Sequence, residues 1–315
     1  MSCAPLALSP AFCMLAMLAL CCVGCASASV KQEPAADGAL PDGIYDLRSG
    51  TRLDESALLK QLEGARYVVI GETHNDPWHH EVQAAIYKHL GDQGGVVALG
   101  LEMFQRPFQG PLDAYVAGTI DEPTMLERTE YATRWGFDTA FYNVMWRLAR
   151  ARKHPIIALN APKVWTRTTS RQGVENLPPE IRQALPELDL SNAAHKEWMR
   201  EVFKGHGMNM EPEKFDRFYQ AQVIWDETMA DSAAAFAKAN PQVRQVVVLA
   251  GSGHVLNRYG IPSRIQRRDP EAKVLTVIPE TLSAPLTQAR LQGWQKSGYA
   301  DFVWVKTTQM PAGHP

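Results

Sequence analysis

Cysteine is missing from all but the first stretch of the chain: Cys3, Cys13, Cys21, Cys22 and Cys25 are its five cysteines. Everything beyond residue 25 is therefore without disulfide, thiolate zinc site or catalytic thiol. Basic runs are also missing, and a formal net charge of −2 excludes the electrostatic footprint of a nucleic-acid binder. Gly251-Ser252-Gly253-His254 lacks the third glycine and the lysine of a phosphate loop. No Gly-x-Ser-x-Gly elbow occurs, which argues against a serine nucleophile of the α/β-hydrolase kind.

The apolar stretch from Ala11 to Val23 is too short to span a bilayer, which takes about 20 residues. It reads as a cleaved export signal over 1–24. Gly24, a small residue, stands directly before Cys25, the layout of a lipoprotein signal whose cut frees that cysteine for acylation. Two features depart from the pattern: no Lys or Arg precedes the apolar run, and Cys22 stands where Leu is usual. An ordinary secretory cut at a neighbouring Ala or Ser is the alternative. Ala26 rather than Asp after the cysteine favours the outer membrane, facing the periplasm.

Residues 25–42 are small, polar and Pro/Gly-bearing, as a flexible tether would be. A domain is expected over 43–307, with a short tail at 308–315. Short β-rich apolar runs at 67–71, 96–101, 155–159, 246–250 and 274–278 alternate with amphipathic stretches, and a last run at 302–305 should close an edge. That alternation predicts an α/β fold, a mostly parallel central sheet flanked by helices. A loop rich in Gly and Pro is expected over 104–111. No strand signal interrupts 165–240, where Phe215, Phe218, Gln222, Trp225 and Met229 share a helical face, so this region is expected to be a helical insertion or lid. Trp135, Phe137, Phe141, Tyr142 and Trp146 read as core.

In a parallel sheet, ligands sit beyond the carboxyl ends of the strands. Glu72 and His74, Glu102, Asn160, and His254 follow four of the predicted strands, so parallel packing would bring them to one rim. Any one of them is more readily a cap for a helix or loop. Together they indicate a ligand or catalytic site. His79 and His80 open the next helix with Gln83 a turn on, but the His-Glu-x-x-His zinc spacing is absent. A mononuclear site for a divalent metal ion from His74, Glu102 and His254 remains open. A second cluster sets Tyr259 among Arg258, Arg264, Arg267 and Arg268. Tyrosine is a known haem ligand and guanidinium groups can clamp propionates, whereas the plain reading is a packed aromatic beside surface arginines.

The segments Val69-Ile70-Gly71-Glu72-Thr73-His74, Leu101-Glu102-Met103-Phe104, Leu159-Asn160-Ala161-Pro162, Gln222 to Ala230 and Gly251 to Pro262 lie in one order. In these the chain resembles the ChaN-like haem-binding uptake lipoproteins of the Tiki superfamily. The resemblance implies a lipid-anchored protein of haem and iron uptake, a homodimer with haem at the shared face, and a haem receptor or transporter as partner. It implies Tyr259 as iron ligand assisted by His254, with Arg258 and Arg264 nearby, and Tyr87, Tyr131, Tyr142 and Tyr219 as alternatives. A pocket of Glu72, His74, His80, Glu102, Asn160 and Asp226 goes with it. The same superfamily holds erythromycin esterases and Tiki metalloproteases, so a hydrolase using Glu72, His74, Glu102 and His254 is the rival expectation. A lipoprotein that only scaffolds a transporter is a third.

Overall fold

The computed structural model describes residues 38–308; the expected signal, Cys25 and most of the expected tail lie outside them. In chain order the elements are β1 (Ala39–Leu40), β2 (Gly43–Asp46), β3 (Thr51–Leu53), α1 (Glu55–Glu63), β4 (Tyr67–Glu72), α2 (Pro77–Asp92) and β5 (Val96–Gln105). Then come α3 (Gln109–Ala117), α4 (Glu122–Arg128), α5 (Tyr131–Arg134), α6 (Asn143–Arg152), β6 (Ile156–Asn160), α7 (Lys163–Gln172), α8 (Pro179–Ala184), α9 (Ala193–Gly205) and α10 (Pro212–Ala239). The chain finishes with β7 (Val243–Gly251), α11 (Ile261–Arg268), β8 (Val274–Leu282), β9 (Leu286–Thr287), α12 (Gln288–Ser297) and β10 (Phe302–Thr307).

Eight strands form one sheet in the order β3-β2-β10-β8-β4-β7-β5-β6. The run from β10 to β6 is parallel, and β2 and β3 join it antiparallel. The fold is the α/β class read from the alternation of apolar runs. Along β4, Val68 and Ile70 face one layer while Tyr67 and Val69 face the other, the period of two that strand geometry imposes. Both faces are covered, so all of β4 is buried and reads as an unbroken apolar run.

Helices α1 to α6 cover one face, with Leu62, Ile86, Tyr87, Leu112 and Trp146 against the strands. On the other face α10, α11 and α12 contribute Met229, Ala233, Ile261, Ile265 and Leu291. Each large side chain so buried adds about 1.5–3 kcal/mol. The small residues of α10, Ala230, Ala233 and Ala237, let its long axis lie close on the sheet.

Three expectations are revised. The run at 302–305 does not close an edge: β10 lies between β2 and β8, because the Gly43–Asp46 strand, too short and mixed to read as one, pairs outside it. The expected loop at 104–111 is instead the end of β5 and the start of α3. Ala39 and Leu40, inside the expected tether, pair antiparallel with Thr287 and Leu286. The stretch 165–240 is helical and holds most of α7 and all of α8, α9 and α10, the expected insertion.

Candidate functional site

Asp76 accepts hydrogen bonds from the backbone of Trp78 and His79, and Pro77 opens α2. That cap fixes the turn after β4 and sets the side chains around Glu72. Glu72 Oε1 takes Nδ1 of His74 at 2.6 Å and the Tyr142 hydroxyl at 2.7 Å, and Oε2 takes the Gln83 amide at 2.8 Å. His80 stands behind, with Nδ1 3.1 Å from Gln83 Oε1 and Nε2 3.1 Å from the His74 carbonyl. His79 is structural: its Nδ1 accepts from the Thr73 backbone at 2.9 Å.

β7 lies between β4 and β5, so its end meets both carboxylates. Gly251 N–H donates to Glu102 Oε2 at 2.6 Å. A Cβ on Gly251 would stand 3.0 Å from the His74 ring, so a larger residue there would press that ring off the strand end by a few tenths of an ångström. Beyond it, His254 sets Nε2 3.4 Å from Glu102 Oε1 and Nδ1 2.6 Å from Asp226 Oδ1. Gln222 holds its amide 2.9 Å from the same Nδ1, and Asn160 donates to the Glu102 carbonyl at 2.9 Å.

The charges are mutually compensated. Burial disfavours ionisation of Glu72, yet His74, His80 and Tyr142 lower its pKa; His254, His74 and the Gly251 N–H do the same for buried Glu102. Burial likewise opposes the charge on His254, but Glu102 and Asp226 push it up to about 10. His74 is raised against burial by Glu72 and Glu102. At neutral pH the floor thus sets two carboxylates against the His254 imidazolium, with His74 drawn toward its charged form by the same acids.

Above this floor lies a cavity of about 420 Å³. Trp135 and Phe137 line one side; the His74 ring meets them edge-on at 4.6 Å and tilted at 5.0 Å. The insertion supplies the roof through Trp198, Met199, Val202, Phe203, Met208, Phe218 and Trp225. The aromatics from Trp135 to Trp146 join the core as read, with Tyr142 and Trp146 deep in it, and Trp135 and Phe137, at its edge, also face the cavity.

Of the sequence-derived residues, Glu72, His74, Glu102, Asn160 and His254 converge on this cavity, while His80 and Asp226 stand behind it as supports. The second cluster goes elsewhere. Tyr259 packs 5.7 Å from the His195 ring and 6.1 Å from Trp198, outside the lining. Arg258 pairs with Asp301 at 2.8 Å, and buried Arg264 lies 3.1 Å from Glu227. None of Tyr87, Tyr131, Tyr142 and Tyr219 lines the cavity either, and burial drives all four phenols up, Tyr219 to about 12. Burial pushes His195, 3.9 Å from Asp226 Oδ2, down to about 4, so it is neutral. Among the described residues no group of three or more His, Cys, Asp or Glu side chains is arranged to hold a metal ion.

Two features escaped the strand-end reading. His206, after α9, lines the cavity with Nδ1 bonded to the Val202 carbonyl at 2.7 Å, leaving Nε2 free. Lys163, Arg167 and Arg171 line it from α7, and their four-residue spacing was legible.

Fold and site together define a class: an α/β domain with paired histidine and carboxylate side chains at the ends of parallel strands, roofed by a helical insertion. Residues 58–265 match the family described as haem-binding uptake, Tiki superfamily, ChaN, and the chain belongs to that family. The structure of ChaN of Campylobacter jejuni with cofacially bound haem is similar at 19% identity, covering 85% of this chain and 96% of that one, with a TM-score of 0.60. More distant are an erythromycin esterase, EreC, in an open conformation (16% identity, 76% and 77% of the two chains, TM-score 0.47) and the type III effector HopBA1 (13%, 80% and 92%, 0.44). No curated protein sequence matches the chain.

Proposed function

We propose that this protein binds haem in the cavity beneath the insertion and takes part in haem or iron uptake. Family membership supports the ligand, and one observation carries the location: aromatic and aliphatic walls facing each other across a space large enough for a small-molecule ligand. Flat apolar faces between Trp135 and Phe137 on one side and Phe203, Phe218 and Trp225 on the other suit a tetrapyrrole.

The iron donor in this reading is His206. Its Nδ1 N–H is tied to a backbone carbonyl, the arrangement that fixes the tautomer of metal-ligating histidines and presents Nε2. His254, its pKa pushed up to about 10, is held protonated between carboxylates, and Nδ1 of His74 is committed to Glu72. Tyr259 has no place in the lining. Hemin titrated into the purified domain should give a saturable Soret change that is lost or displaced in His206→Ala and kept in Tyr259→Phe. Absence of saturation sinks the haem reading; collapse in Tyr259→Phe moves the iron to the phenolate.

The anchor belongs to the same proposal. Acylation of Cys25, which lies outside the described residues, would hold the domain on the periplasmic side of the outer membrane, where a receptor or transporter could deliver or take haem. A homodimer joining two cavities is the assembly we infer, in keeping with the cofacial haem named for the Campylobacter jejuni protein.

A hydrolytic reading has its own observation: His74 backed by Glu72 and His254 backed by Asp226, with Glu102 between. Such pairs can move a proton to or from an attacking water. Ester or peptide turnover abolished by His74→Ala, with no hemin saturation, would establish it.

A further inference from the structure

We propose that α7 is a carboxylate clamp: Lys163, Arg167 and Arg171 bind the acidic edge of the cavity's ligand, so the site selects an apolar ring system that carries carboxylates. The inference rests on the haem-binding reading and deepens it by assigning the ligand's orientation. Residues four apart on a helix share a face, and here that face, with Thr166 and Ser170 between, forms one wall of the cavity.

Their isolation sets these three cations apart. Among the described residues none of their side chains has a carboxylate partner, whereas five other guanidinium groups are engaged. Arg106 pairs with Asp231, Arg134 with Glu130, and Arg264, Arg267 and Arg268 with Glu227. The helix holds this arrangement against its own electrostatics. Like charges four apart repel, and Lys163 sits in the first turn, where the helix dipole disfavours a cation. An anion bound from the cavity side relieves both.

Position agrees with this. The floor carboxylates Glu72 and Glu102 are paired with His74 and His254, and Asp226, the second partner of His254, is buried behind it outside the lining, so no carboxylate without a partner faces an acidic ligand there. The roof is aromatic and aliphatic, and the uncompensated charges of the lining are the three on α7. Thr166 and Ser170 spend their hydroxyl protons on the carbonyls of Lys163 and Arg167, which leaves recognition to the cations. Guanidinium groups bind carboxylates in bidentate fashion, which fixes the ligand's edge as well as its charge.

The test compares ferric protoporphyrin IX with its dimethyl ester, in which the ring and iron are unchanged and the carboxylates are capped. The wild-type protein should bind the diacid at least tenfold more tightly, and that advantage should shrink as salt is raised. The double variant Arg167→Glu with Arg171→Glu, at exposed positions, should lose the preference while binding the ester as before. If the wild type binds both porphyrins equally, or the double variant weakens both alike while melting like the wild type, the clamp is overturned and the haem reading stands. If neither porphyrin binds, both readings fall. The wild-type comparison needs no variant, so a misfolded mutant does not shield the proposal.

Discussion

His254 sits between two carboxylates, and its proton links the site to the stability of the fold. Its folded pKa, about 10, lies above the ordinary 6.5, so its contribution is fully present below pH 6.5 and is lost as pH rises toward 10. Glu72 and Glu102 have folded values below 4.5, so their contribution is present above pH 4.5 and is lost as pH falls through those lower values. The melting temperature should therefore peak between about pH 5 and 6.5 and decline on the alkaline side. Replacing His254 by Gln should flatten that alkaline arm in scanning calorimetry. An unchanged arm would show that the imidazole is not held charged. Gly260 belongs to the same structure, since a Cβ there would run into the His254 carbonyl.

Among the elements, α10 and α11 are joined by a buried ionic knot. Glu227, fully buried on α10, meets Arg264 at 3.1 Å, Arg267 at 2.8 Å and Arg268 at 2.6 Å, all from α11. Removing one partner of such a group leaves buried charge uncompensated, which costs about 3–5 kcal/mol. Glu227→Gln should accordingly lower the unfolding free energy obtained from urea titration by about 3–5 kcal/mol, and a loss below about 1 kcal/mol would mean that water already screens the knot. The arginines that looked in the sequence like a propionate clamp are thus committed to helix packing. Charge spacing alone did not tell the two arginine sets apart. Arg264, Arg267 and Arg268 face an acid from another helix, and Arg167 and Arg171 face the cavity.

On the scale of the whole molecule, β1 pairs with β9 through Ala39 and Leu40, which limits the chain available as a tether to the anchor proposed at Cys25. The chain from residue 26 to 38 can reach at most about 45 Å. Cys25→Ser should release the processed protein from the membrane fraction on cell fractionation; retention there would sink the lipid anchor and leave the cavity reading intact. Among the described residues no helix is long and apolar enough to cross a membrane. The sequence by itself determined the parallel core, because strands covered on both faces must be apolar throughout, and it marked Glu72, His74, Glu102, Asn160 and His254, because strand ends in such a sheet share one rim. Only the tertiary structure decided which side chains reach the cavity. Tyr259 and Arg264 turned into helix packing, Trp135 and Phe137 came to face the cavity from the edge of the core, and His206 and α7 came to the site from the insertion, since contacts between distant segments leave no local periodicity to read.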